Sequence, residues 1–109
     1  MPIARSDREV LRRIPNLRRV SMSPWTNPER GAAELRDEYV YSCKPTPALL
    51  AEERWRPDAA RAYLRGILEK TRGCRLEIIM KDISTLRYEP QRLWEWERMA
   101  MELADEFAP

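Results

Sequence analysis

Histidine is missing from this sequence altogether. That removes the commonest general base and the commonest transition-metal ligand, and with them any Ser-His-Asp hydrolase built on Ser23. Cysteine is scarce. Cys43 and Cys74 stand far apart, without Cys-x-x-Cys spacing, so neither a zinc ribbon nor a dithiol redox motif is available. The three glycines, Gly31, Gly66 and Gly73, are scattered and form no phosphate-cradling loop. No apolar run approaches the roughly 18 residues of a membrane span. The start, Met1-Pro2-Ile3-Ala4-Arg5-Ser6, lacks the hydrophobic stretch of a secretory signal. The resulting expectation is a cytoplasmic chain with reduced, unlinked cysteines, no membrane association, no cofactor and no metal.

What is present is charge of both signs. Twenty basic and 18 acidic residues leave a formal +2 over 109 residues, so no large net field attracts polyanions. Only the first twenty positions are skewed, Arg5, Arg8, Arg12, Arg13, Arg18 and Arg19 facing Asp7 and Glu9. A solvated helix face explains that bias more simply than phosphate contacts, and nucleic-acid binding is not expected. The length suits one domain, residues 1–109.

Ser6-Asp7-Arg8-Glu9 has the form of a capping box, with Val10, Leu11 and Ile14 following before Pro15-Asn16 stops a short helix. A strand is predicted over 17–23, ended by Pro24. Asn27 and Pro28 open a second helix, as cap and first helical residue, carrying Ala32, Ala33 and Leu35. Tyr39-Val40-Tyr41-Ser42-Cys43 is β-rich, giving a second strand at 39–43, and Ala48–Ala51 suggests a helical turn behind it. Ala60, Tyr63, Leu64, Ile67 and Leu68 form the stripe of a long helix from Pro57 to Thr71, with Gly73 as its stop. A third strand is predicted over 76–80, then a polar loop. A final helix from Glu89-Pro90 to Phe107 follows, buried through Leu93, Trp96, Ala100, Leu103 and Phe107. Arg92, Glu95, Glu97 and Arg98 read as its solvated face.

The fold class is therefore α/β: three strand–helix units after an N-terminal helix. Connections of this length imply parallel strands in sequential order. Three parallel strands leave two open edges, and Trp25, Trp55, Trp94 and Trp96 exceed what so thin a layer encloses. Association into a homo-oligomer, or with a missing barrel half, is expected. Cys43 and Cys74 fall at opposite ends of neighbouring strands, too far apart for a disulfide.

In parallel α/β proteins, ligands bind at the carboxyl ends of strands. Three loops meet that description: Ser23-Pro24-Trp25, Ser42-Cys43-Lys44-Pro45 and Lys81-Asp82-Ile83-Ser84-Thr85. The candidate ligand-binding residues are Ser23, Cys43, Lys44, Lys81, Asp82 and Thr85. Lys44 and Lys81 suit an acidic small molecule, and a lysine beside another cation is a conceivable base. Asp82 would act as a base or orient a lysine, and Cys43 as ligand or nucleophile. The plainer readings are a Lys81–Asp82 pair that orders its loop, a Cys43 that is a small buried hydrophobe, and Ser42 and Thr85 as turn residues. No catalytic residue is assigned.

Three stretches together resemble the C-terminal part of the uroporphyrinogen decarboxylase-like superfamily, which includes corrinoid-dependent methyltransferases. They are Leu17-Arg18-Arg19-Val20-Ser21-Met22-Ser23-Pro24-Trp25, then Ser42-Cys43-Lys44-Pro45-Thr46-Pro47-Ala48-Leu49-Leu50, and Glu77-Ile78-Ile79-Met80-Lys81-Asp82-Ile83-Ser84-Thr85 through Glu89-Pro90-Gln91-Arg92-Leu93. The resemblance spans about 17–107 and implies the last part of a TIM barrel, inactive on its own. Family features outside the matched stretches do not carry over. The decarboxylases' substrate-binding arginine and aspartate belong to the barrel's first half, and the methyltransferases' zinc needs histidine. The alternative is a small α/β self-association or partner-binding module without catalysis.

Overall fold

A computed structural model describes residues 7–108. In chain order the elements are α1 (Asp7–Arg12), β1 (Arg19–Met22), α2 (Pro28–Leu35), β2 (Val40–Cys43), α3 (Ala48–Ala51), α4 (Pro57–Lys70), β3 (Arg75–Ile78) and α5 (Gln91–Phe107). The strands form one sheet in the order β1-β2-β3, parallel at both pairings. The α/β architecture inferred from the sequence is thus the one observed. The strands are shorter than predicted: Leu17, Arg18 and Ser23 lie outside β1, and Ile79 and Met80 lie beyond β3. The proposed cap Ser6 lies outside the described residues.

The helix termini follow the local chemistry. Asn27 Oδ1 accepts hydrogen bonds from the amides of Glu29 and Arg30 at 3.0 and 3.3 Å, with Pro28 at the first helical position. Such a cap contributes about 1 kcal/mol. At the far end of α4, the Thr71 hydroxyl donates to the Ile67 carbonyl at 2.9 Å, and Gly73 takes φ +87°, a conformation glycine adopts without strain.

Register explains why one face of the sheet is covered. Val20, Tyr41 and Leu76 align across the three strands, as do Met22, Cys43 and Ile78. Because side chains alternate along a strand, these two rows share a face. Met22, Tyr41 and Cys43 pack with Leu35 of α2. Leu76 and Ile78 pack against a second cluster made of Leu50, Ala60, Leu64, Leu68, Trp96, Met99 and Leu103. The α4–α5 seam is further tied by ion pairs from Arg61 to Glu102 and from Arg65 to Glu106. Cation–π contacts from Arg65 and Arg72 to Phe107 close its end.

Two expectations about α5 need correction. Arg92 is not on a solvated face: it is 1% exposed, among the most deeply buried side chains. Its guanidinium donates to the carbonyls of Leu50 at 3.2 Å, Glu53 at 3.1 Å and Glu52, and to the Glu89 carboxylate at 2.8 Å. Arg87 adds a bond to the Ala51 carbonyl at 2.9 Å. The last turn of α3 has no continuing helix to donate to its carbonyls, and a planar five-donor fork answers several of them at once. Glu95 likewise accepts from Trp55 Nε1 at 2.9 Å instead of facing only water.

The tryptophans divide. Trp96 is buried, whereas Trp25 is 87% exposed and Trp94 also lies largely in solvent. The radius of gyration, 14.8 Å, exceeds the roughly 13 Å expected of a compact domain of this length. Among the described residues the sheet is layered on one side only, which gives that flattened form. Among the described residues, no helix is long and apolar enough to cross a membrane.

Candidate functional site

The opposite face of the sheet is built from the alternate residues. Arg19, Val40 and Arg75 form one row, and Ser21, Ser42 and Glu77 the next. Arg19 and Glu77 sit on the two outer strands. On β2, Val40 stands beside Arg19 and the small Ser42 beside Glu77, and the two long side chains meet across them. Arg19 Nη1 donates to both Glu77 carboxylate oxygens, at 3.1 and 2.9 Å. The Ser42 hydroxyl donates to Glu77 Oε1 at 2.5 Å and accepts from Lys44 Nζ. Lys44 Nζ also donates to the Ser42 carbonyl at 3.2 Å.

The polar order is therefore Lys44 to Ser42 to Glu77, with Arg19 closing from the other side. The hydrogen bond from Ser42 and the charges of Arg19 and Lys44 hold the Glu77 carboxyl below the usual carboxylate range. A carboxylate so stabilised is a weak base near neutral pH. Two cations around one carboxylate leave a local positive excess, which suits binding an anion better than abstracting a proton.

On the helix-covered side, where the strands end, lies a cleft of about 350 Å³. Its walls come from the β1–α2 loop, the end of β2 and the α4 face carrying Tyr63, Gly66 and Lys70. Ser23 and Lys44 line it together with Cys43. The Ser23 hydroxyl lies 3.2 Å from that of Thr26 and accepts from the Trp25 amide at 3.3 Å. The Tyr63 hydroxyl accepts from the Thr46 amide at 3.1 Å, tying the β2 loop to α4. Burial pushes the Cys43 thiol up to about 11 despite Lys44 nearby. At neutral pH the group is a protonated thiol inside the core, with little nucleophilic character.

The third loop stands apart. Lys81 Nζ is 3.9 Å from Asp82 Oδ2, with both side chains largely exposed. Thr85 Oγ1 accepts from the Arg87 amide at 3.0 Å, a local turn bond. Thus Ser23, Cys43 and Lys44 share one cleft, whereas Lys81, Asp82 and Thr85 line none of it. Arg19, Glu77 and Tyr41 were not among the ligand candidates from sequence, and Ser42, read there as a turn residue of the second loop, lies inside β2. The period-two alternation of Arg19-Val20-Ser21-Met22 and Leu76-Glu77-Ile78 was the available signal for the polar face.

Among the described residues, no group of three or more cysteine, aspartate or glutamate side chains is placed to hold a metal ion. Compared with known proteins, the chain matches no family model, no curated protein and no solved structure.

Proposed function

We propose that this chain is an arc of a parallel β/α barrel related to the uroporphyrinogen decarboxylase-like superfamily, without catalytic activity on its own. Its working form is completed by further strands at the free edges of β1 and β3. The observation that carries this reading is the contrast between the two sides of the sheet. Every core residue of the strands faces helices, while the reverse side holds a connected polar network and, among the described residues, no covering element. An open two-layer domain has no evident use for such a network, whereas in a barrel that side is enclosed and its carboxyl-end mouth is where ligands bind. An acidic small molecule is the ligand class implied, with Lys44 and Lys81 as its cations at the strand ends.

A module that only pairs with itself or a partner is the competing reading. It is favoured by the apolar groove of about 400 Å³ between β3 and α5, flanked by Met101, Ala104 and Phe107. Sedimentation across a micromolar concentration series tests both readings. A second copy or a co-expressed partner that raises the mass and binds an acidic ligand supports the barrel. Association without ligand supports the module. A cooperative monomer at every concentration overturns both.

A further inference from the structure

The helix-side cleft contains a group that neither reading uses. Tyr41 is 2% exposed, yet its hydroxyl has no hydrogen-bond partner among the described residues. A buried hydroxyl left unpaired is destabilising, so such groups are rare in native proteins and call for an explanation. The ring projects from β2 toward α2, where Gly31 leaves room for it. A Cβ at Gly31 would come within 3.0 Å of Tyr41 Cε2 and 3.5 Å of its hydroxyl. The phenol lines the cleft, and so does the Tyr63 hydroxyl, which accepts one bond and retains its own proton.

The rest of the lining narrows the chemistry. Lys70 brings an ammonium group, whereas that of Lys44 is bound to Ser42 on the opposite face of the sheet, and among the described residues no carboxylate lines the cleft. Met22, Ala62 and Ile67 supply apolar wall. The volume lies at the small end of ligand sites, enough for a one-ring molecule.

We propose that the cleft between the β1–α2 loop and α4 binds a small organic carboxylate. Its apolar body lies against Met22 and Ile67, and its carboxylate accepts from the Tyr41 hydroxyl and faces Lys70. One chain supplies every wall, so the site does not depend on barrel completion.

Benzoate titrated into the full chain, followed by amide and tyrosine resonances, is the direct test. Saturable shifts at Tyr41, Tyr63 and Ile67 are expected, with benzyl alcohol binding at least about tenfold more weakly. Tyr41→Phe is expected to keep the fold and lose about tenfold or more in affinity, the effect of one hydrogen bond to a charged acceptor. Should that variant fail to fold, Lys70→Met, at an exposed position, is expected to weaken binding in the same direction. No saturable response, as from a cleft that holds only water, overturns the proposal. So does wild-type affinity in the folded variants, or inorganic phosphate displacing benzoate at lower concentration. A monomer that binds benzoate would refute barrel completion and leave the cleft intact.

Discussion

The two sides of this sheet divide twelve strand residues, six to a side, and share almost nothing. Toward the helices, Val20, Met22, Tyr41, Cys43, Leu76 and Ile78 merge into two apolar clusters. Away from them, Arg19, Ser42 and Glu77 join through charge-assisted hydrogen bonds. A two-residue period lets one short strand serve both environments, because a single step along the chain turns a side chain to the other face. The covered side holds the fold together. The open side contributes little to that and is instead arranged around a charge.

If that division is right, substitutions on the covered side should dominate stability. Leu64→Ala, which empties a fully buried position between α4 and α5, is expected to lower unfolding free energy by about 2–5 kcal/mol in urea. Arg92→Leu should follow at about 3 kcal/mol, since it keeps apolar volume but strands the carbonyls of Leu50, Glu52 and Glu53. An Arg92→Leu chain as stable as the parent would show that water satisfies those carbonyls and that the clamp is incidental.

The pH profile probes the charged side. With no histidine in the chain, no side chain with an unperturbed pKa changes charge between about pH 5 and 8, and stability should be nearly flat there. Glu77 and Glu106 have folded-state pKa values below the ordinary 4.5. Their contribution is therefore present above that value and lost as pH falls through their lower folded pKa. Thermal midpoints should decline below about pH 4.5, and a decline already visible at pH 6 would contradict the assignment. Glu77→Gln is expected to have the smallest effect on the isolated chain, well below that of Leu64→Ala, because its ion-pair partner Arg19 is largely exposed. A loss comparable to that of Leu64→Ala would mean the open face is a structural core after all.

Much of this was legible in the sequence, and the reason is local. Helix stripes such as Ala60-Leu64-Leu68, caps such as Asn27-Pro28 and the proline stops depend on a few neighbouring residues, and the parallel order follows from connection length. The site was less legible because its partners are distant. Arg19 and Glu77 are 58 residues apart, and only the register of all three strands brings them together across β2. Arg92 looked solvent-facing for the same reason, its acceptors lying some 40 residues earlier. Conversely, the adjacency of Lys81 and Asp82 drew notice in the sequence, yet their loop stays outside the cleft.

Hydrogen exchange along β3 tests barrel completion most directly. Ile79 donates its amide to the Cys43 carbonyl at 2.9 Å. By the alternation of a parallel ladder, Glu77 therefore also faces β2, whereas the amides of Leu76 and Ile78 face the free edge. In dilute solution Leu76 and Ile78 should exchange quickly, and Glu77 and Ile79 slowly. Once a second copy or partner adds a strand, all four should become protected together. Fast exchange at Leu76 and Ile78 at every concentration, with or without partner, would contradict the completion of this sheet through its β3 edge.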